Sequence, residues 1–344
     1  MHKKQLDGLR FIAFLLVFLH HFAPNAPNSF GATGVNLFFA LSGFLITRII
    51  LIYETGSLKH DLGIFYVRRT LRIFPVYYLF CAWLLLAGLL PYPIWQFTYL
   101  WNIKVFLLGH AHSFVNHFWS LCVEEQFYLS FPPLVLITPK QHRLKLIAAL
   151  ILATIICNLL FILFDPDSLY FLLLPVRGQF LLWGCLAGYL ELLPQTKRVP
   201  GTQLFFAGTI SMIVLMALWP KQAPTLGVAE TLAGISLASI VFGLWRSTNE
   251  TLVGIFSLPP LAYLGKISYG LYLFHWIALP WWLTLTILMP GLQSIDRAVG
   301  CLLITIFIAA VSWHLFENPI NKFKDRFAYG VTPKLGEEEL GKPA

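Results

Sequence analysis

Apolar runs of about 18 residues or more recur along the chain from residue 9 to residue 318, separated by Pro, Gly and short polar clusters. Each run is long enough to cross a hydrocarbon core as a helix. The repetition predicts helices near residues 9–24, 31–52, 74–91, 118–137, 144–164, 169–193, 202–219, 227–246, 262–289 and 296–317. A further apolar stretch, 97–109, is too short for an upright span and carries Lys104, so it reads as an interfacial or re-entrant piece on the outer side. No fixed-period repeat and no inverted halves are visible. The pattern therefore predicts an all-α integral membrane protein of about ten transmembrane helices, with both termini cytoplasmic. Residues 1–330 read as a single transmembrane domain. Residues 331–344, polar and bearing Gly and Pro, read as a disordered cytoplasmic tail.

Composition agrees: 58% of the 344 residues are hydrophobic and 12% charged, whereas a soluble domain is about one quarter charged. Lys and Arg exceed Asp and Glu by 24 to 16. No basic block with interleaved aromatics accompanies that excess, so nucleic acid is not the expected partner and membrane lipid is. The cations report topology instead. With both ends inside, all of them except Lys104, Arg177, Lys221 and Arg297 fall in inner segments or at inner helix ends. Counting 97–109 as an eleventh span would move Lys140, Arg143 and Lys145 outside. The first run lacks an A-x-A cleavage site and opens with polar residues, so it reads as a retained helix. Cys81, Cys122, Cys157, Cys185 and Cys301 all lie in apolar runs without a CxxC pair and read as small packing residues.

The polar residues inside these runs are the candidates for chemistry, because burying them in a bilayer is costly. In LDGLRFIAFLLVFLHHF, Arg10 and His21 are eleven residues apart, which places both on one helix face, about 16 Å apart along the axis. The second helix, GVNLFFALSGFLITR, carries Gly34, Ser42 and Gly43, for which close packing is account enough, and Asn36, able to orient a histidine, bind a substrate hydroxyl or bridge helices. In FYVRRTLRIFP, Arg69 and Arg72 share a face of what reads as a short amphipathic helix at the inner surface, with Arg68 nearby. Paired guanidinium forks suit phosphate oxygens, of a cofactor or equally of lipid headgroups.

In HFWSLCVEEQFYLSFPP, Glu124 and Glu125 enter the fourth helix and point about 100° apart, so at most one readily shares a face with a catalytic histidine. A carboxylate touching imidazole would fix its tautomer and stabilise its protonated form. Arg177, with Gln179 in the sixth helix, needs a partner at membrane depth, and Glu124 or Glu125 would serve. In LGKISYGLYLFHW, Tyr272 and His275 at i and i+3 can line one face as cavity residues or as an aromatic girdle. Glu317, in HLFENP, is expected to pair with an inner-surface cation. His110, His112 and His117 fall in an outer loop without a carboxylate or Cys at ligand spacing. Solvent-exposed or acceptor-contacting histidines, and no metal site, are expected there.

Taken together, LDGLRFIAFLLVFLHHF, GVNLFFALSGFLIT, VRRTLRIFPVYY, FWSLCVEEQFY, LGKISYGLYLFHW and FENP resemble, in order and spacing over residues 5 to 320, the acyltransferase-3 family of bacterial membrane O-acyltransferases. The resemblance implies a multi-pass protein of the cell inner membrane that transfers an acyl group, commonly acetyl, from cytoplasmic acyl-CoA to a hydroxyl of a surface or exported carbohydrate or lipid-linked glycan. Acyl-CoA would be a donor substrate, with no permanently bound cofactor. Arg10 and His21 match the family's Arg-x10-His motif, Arg69 and Arg72 its Arg-x-x-Arg motif, Glu124 the first Glu of its WSL-x-V-E block, and Tyr272 and His275 its SY-x-LYL-x-H block. Where members often carry an acidic residue, this chain has Asn36, which removes a counter-ion but not a hydrogen bonder. No appended esterase-like domain is visible, so a second step would need a partner protein.

The expected roles follow: Arg10, Arg69 and Arg72 hold the donor's phosphates, and His21, oriented by Glu124, is the catalytic base or the acyl-carrying nucleophile. Asn36, Glu125, Arg177, Tyr272 and His275 are the candidate substrate contacts. A transporter using the same Arg, His and Glu as a proton or substrate pathway is the rival expectation.

Overall fold

A computed structural model of the chain describes residues 3–27, 29–110, 115–219, 223–289, 291–292 and 295–329. The expectations for His112, Lys221, Lys334, Lys342 and the tail 331–344 fall outside the described residues. Among those described, every regular element is helical. In chain order they are α1 (Lys4–Phe22), α2 (Ser29–Ile52), α3 (Leu58–Leu86), the short α4 (Pro93–Phe97) and α5 (Trp101–Leu108), α6 (Phe118–Ile137), α7 (Arg143–Phe164) and α8 (Leu174–Leu192). Then follow α9 (Gly201–Ala217), α10 (Ala223–Arg246), α11 (Glu250–Phe256), α12 (Pro259–Lys266), α13 (Ser268–Phe274), α14 (Ala278–Leu288), α15 (Arg297–Ser312) and α16 (Asn318–Lys322).

Among the described residues, seven segments are long and apolar enough to cross a membrane: α1, α2, α3, Lys140–Phe164, Thr225–Arg246, Ser268–Leu288 and Arg297–Arg326. The other three predicted spans also exist as helices. α6 and α8 carry Glu124, Glu125, Gln126, Arg177 and Gln179, which dilute their apolar character because these helices turn polar side chains toward the protein interior. α9 has 17 residues. The stretch around Lys104 forms the short α4 and α5, neither long enough to span, and the Lys104 ammonium lies over the rings of Tyr92 and Trp95.

Three boundaries differ from the pattern-based expectation. The Arg-bearing segment is not a separate amphipathic helix: α3 runs 29 residues without interruption through Pro75. Proline would ordinarily end the helix near Phe74. Here the upstream turns are tied down, Tyr66 Oη donating to the Leu129 carbonyl at 3.0 Å and Arg68 Nη1 to those of Lys324 and Phe327 at 2.8 and 2.9 Å. Neighbouring elements thus hold the helix across the lost bond. The sixth predicted helix begins only at Leu174, after a 3-10 turn at Tyr170–Leu172. The ninth is broken into α12, α13, a 3-10 turn at His275–Ile277, and α14.

α2 occupies the centre, and its partner is α8. A Cβ on Gly43 would collide with the Leu181 carbonyl, one on Gly184 with the Ala40 carbonyl and one on Gly188 with the Phe44 carbonyl. Three glycines thus let the two backbones touch, which in a membrane substitutes for the missing hydrophobic drive between helices. Cations gather at one end of the bundle. There Arg48 pairs with Glu191, Arg246 with the same carboxylate at 3.5 Å, and Arg143 with Glu54 at 2.7 Å. Lys3 and the segment at Lys324 lie at this end too, so the first and last described stretches share it. The cysteines are free; four are buried and Cys157 half-buried.

Candidate active site

Arg10 of α1, Arg69 and Arg72 of α3, Glu124 and Glu125 of α6, and Tyr272 of α13 converge on one cavity of about 100 Å³. Ser42, Ser120, Tyr128 and Tyr269 stand between them on its wall. The residues come from five helices spread over most of the chain, and all of them lie within motifs that the sequence singled out.

Each side chain has a local reason for its position. Asp7, one turn before Arg10, pairs with its guanidinium at 2.7 Å and aims it inward. Gly8 lets α1 approach the Phe256 carbonyl at the end of α11, and Gly265 lets α12 approach the Asp7 carbonyl of α1, without a Cβ in the way. The Arg69 guanidinium lies over the rings of Phe65 and Tyr128, 5.7 and 4.9 Å from their centroids. Glu124 Oε1 accepts hydrogen bonds from both Ser42 Oγ and Tyr128 Oη. Gln126, two residues on, faces away and fixes α5, donating to the Tyr99 carbonyl at 2.9 Å and to Asn102 Oδ1 at 2.8 Å.

Above the cavity, toward the C-terminal end of α1, lies a cluster of imidazoles. Tyr272 Oη meets Ser120 Oγ at 2.6 Å. His275 Nδ1 donates to the Tyr272 carbonyl at 2.6 Å, and His117 Nε2 to the Leu273 carbonyl at 3.1 Å. Both carbonyls stand at the break between α13 and α14, where helical partners are lacking. Because a carbonyl can only accept, these bonds place a proton on Nδ1 of His275 and on Nε2 of His117. His21 stacks on His275, ring centroids 5.4 Å apart and planes 22° apart, and touches Trp276 and His20.

Several expectations change here. His21 is not oriented by Glu124: its contacts are with His20, His275 and Trp276, while Glu124 bonds to Ser42 and Tyr128. α1 ends at Phe22, which puts His21 in its last turn and off the cavity wall. Tyr272 and His275 do not share a face of one helix, because the helix breaks between them; only Tyr272 faces the cavity. Arg177 faces neither Glu124 nor Glu125. It lies 3.6 Å from Glu230 of α10, which also accepts from Asn158 of α7, away from the cavity.

Asn36 is buried off the cavity wall, its Oδ1 without a hydrogen-bond partner among the described residues. Glu317 accepts from Ser312 at 2.9 Å and forms no ion pair within 4 Å among the described residues, though it acts electrostatically on Arg72. His117 is 4% exposed, not a loop residue in solvent, whereas His110 is exposed.

Sequence reading missed Asp7, Ser120, Tyr128 and Glu230, and gave Ser42 a packing role and His117 a place in an outer loop. Asp7 and Tyr128 left a signal, standing three and four residues from Arg10 and Glu124.

A bundle of apolar helices that closes guanidinium, carboxylate and phenol groups into one interior cavity defines a polytopic membrane protein with a polar interior site. The chain belongs to the acyltransferase-3 family, whose pattern, described as an acyltransferase domain, matches residues 3–315. It is 30% identical, over 92% of its length, to the peptidoglycan O-acetyltransferase OatA of Listeria monocytogenes, covering 55% of that protein. It is 28% identical to the putative peptidoglycan O-acetyltransferase YrhL of Bacillus subtilis, over 92% of this chain and 54% of that one. It is 29% identical to the O-acetyltransferase OatA of Staphylococcus aureus, over 96% and 58%. The chain thus spans little more than half the length of these curated relatives. No solved structure matches it.

Proposed function

We propose that this chain is an O-acetyltransferase of the bacterial inner membrane, with ten spans and both ends cytoplasmic, that moves acetyl from cytoplasmic acetyl-CoA toward a hydroxyl of a cell-wall peptidoglycan sugar. The observation that carries the reading is the convergence of Arg10, Arg69, Arg72, Glu124, Glu125 and Tyr272 on one interior cavity, in a member of an acyltransferase family. The acceptor class is taken from the printed functions of the relatives.

Arg69 and Arg72, with Arg10, bind the donor's diphosphate as charge-assisted forks. The pantetheine arm then runs up α1. From Arg10 to His21 is about 16 Å along the helix, about the reach of a fully extended chain of five residues, which such an arm resembles in length. Glu124 uses Oε1 for Ser42 and Tyr128, and Oε2 makes no hydrogen bond among the described residues. Oε2 is the acceptor for an amide N–H of the arm. At the upper end His21, stacked on His275, takes the proton of the acceptor hydroxyl as its oxygen attacks the thioester carbonyl. The C–S bond breaks, and the departing thiolate takes that proton from His21, leaving CoA-SH and the acetyl ester.

The test is release of free CoA thiol from acetyl-CoA by purified protein in lipid nanodiscs with muropeptide present, together with one acetyl group of added mass on the muropeptide. His21→Ala abolishes both while the protein still inserts. Solute transport without thioester consumption would overturn the reading in favour of a transporter.

A further inference from the structure

Five cations around the inner mouth of the cavity, Arg68, Arg69, Arg72, Lys266 and Lys324, have no carboxylate within 4 Å among the described residues, although ion pairs elsewhere in the molecule are made. Arg69 and Arg72 are on the cavity wall. The other three are not, and they lie on the side from which α3 begins.

The chain's last described segment brings them together. Arg68 Nη1 donates to the carbonyls of Lys324 and Phe327 at 2.8 and 2.9 Å, and its guanidinium lies 4.8 Å from the ring of Tyr329, which stacks on Tyr53 of the loop after α2 at 4.6 Å. The segment is thereby strapped across the first turns of α3. Its Lys324 ammonium is half-buried, and the charged groups acting most strongly on it are the cations Arg72, Arg68 and Lys266 against the single carboxylate Asp325. Like charges held together under partial burial raise the free energy of the empty site and favour an anion that bridges them.

Resting on the acetyl-CoA reading above, we infer that Lys324 and Lys266 form the subsite for the 3′-phosphate of the donor's adenosine, with Arg68 as the positioning residue that holds Lys324 beside Arg72. The order of groups along the donor matches the order along the protein. The pantetheine arm lies in the cavity, the diphosphate at Arg69, Arg72 and Arg10 on its wall, and the 3′-phosphate, beyond the diphosphate from the arm, at the cations just outside. A phosphate monoester carries about two negative charges near neutral pH, enough to engage both lysines.

A lipid headgroup phosphate offers similar chemistry, so the experiment separates the two sources. CoA release is measured with acetyl-CoA and with acetyl-dephospho-CoA, which lacks the 3′-phosphate, for the wild type and Lys324→Gln, in nanodiscs of zwitterionic and of anionic lipid. The wild type shows a KM about tenfold higher for the dephospho donor, one charge-assisted contact's worth. Lys324→Gln raises the KM for acetyl-CoA to a similar degree and leaves that for the dephospho donor unchanged, with kcat retained for both. Equal KM values for the two donors in the wild type, or an equal rise for both in the variant, would overturn the subsite while leaving acetyl transfer intact. A KM that follows the anionic lipid content and not the 3′-phosphate would assign the cluster to headgroups and overturn it as well. Consumption of neither donor by the wild type would sink the acetyl-CoA reading itself.

Discussion

Glu124 is held through one oxygen by two hydroxyls, Ser42 Oγ and Tyr128 Oη, contributed by two different helices. Hydrogen bonds to a charged group are each worth about 1.5–3 kcal/mol, so Ser42→Ala and Tyr128→Phe should each lower kcat/KM for CoA release at least about tenfold. The double variant should do no worse than Glu124→Ala, because all three changes remove the same carboxylate from its position. A Ser42→Ala protein with wild-type turnover would show that the serine does not position it. Tyr128 was within reach of the sequence, four residues after Glu124 on the same helix face. Ser42 was not, since its pairing with Glu124 joins α2 to α6 and leaves no periodic trace. Arg177 illustrates the same limit: its need for a carboxylate was legible from its depth, yet only the packing of α8 on α10 selects Glu230. His117 was misplaced for a different reason. Its polar neighbours made it look like loop, while the capping of the Leu273 carbonyl draws it inside.

Helix positions were legible because twenty apolar residues in a row admit few other structures in a bilayer. Their interruptions were less so. Pro75 looked like a boundary and is not one, whereas nothing in SYGLYLFHWIAL announces the break at His275. That break exists because two imidazoles satisfy the carbonyls it frees, a tertiary compensation that local propensity does not encode. The contact of α2 with α8 gives a prediction at this scale. Gly43→Leu forces a side chain into the Leu181 carbonyl, and overpacking of this kind costs about 1–3 kcal/mol or more. Its thermal midpoint in detergent should fall well below wild type. Gly63→Leu, at a position with open space around it, should leave the midpoint unchanged. Equal midpoints for the two would mean that the seam is not a stability determinant.

At the scale of the whole molecule, the cavity of about 100 Å³ is small beside the roughly 300 Å³ at the lower end of ligand pockets. An acyl-bearing arm therefore requires the walls to part. The two sides differ in how firmly they are held: two thirds (67%) of the apolar window of α2 is buried within the protein, against one third (33%) for α3. α2 is also stitched to α8 through glycine, with Thr47 beside Cys185 at the same seam. A disulfide between Thr47→Cys and Cys185 should leave CoA release near wild type. A short bis-maleimide bridge between Tyr66→Cys on α3 and Leu129→Cys on α6, across the 3.0 Å contact of their native groups, should abolish release. Inhibition by the first bridge, or full activity under the second, would contradict this division. The three glycines of the seam thus make α2 a fixed jaw and leave α3, with lipid at its back, as the jaw that moves. Bilayer thickness and lateral pressure then act directly on how readily the donor is admitted.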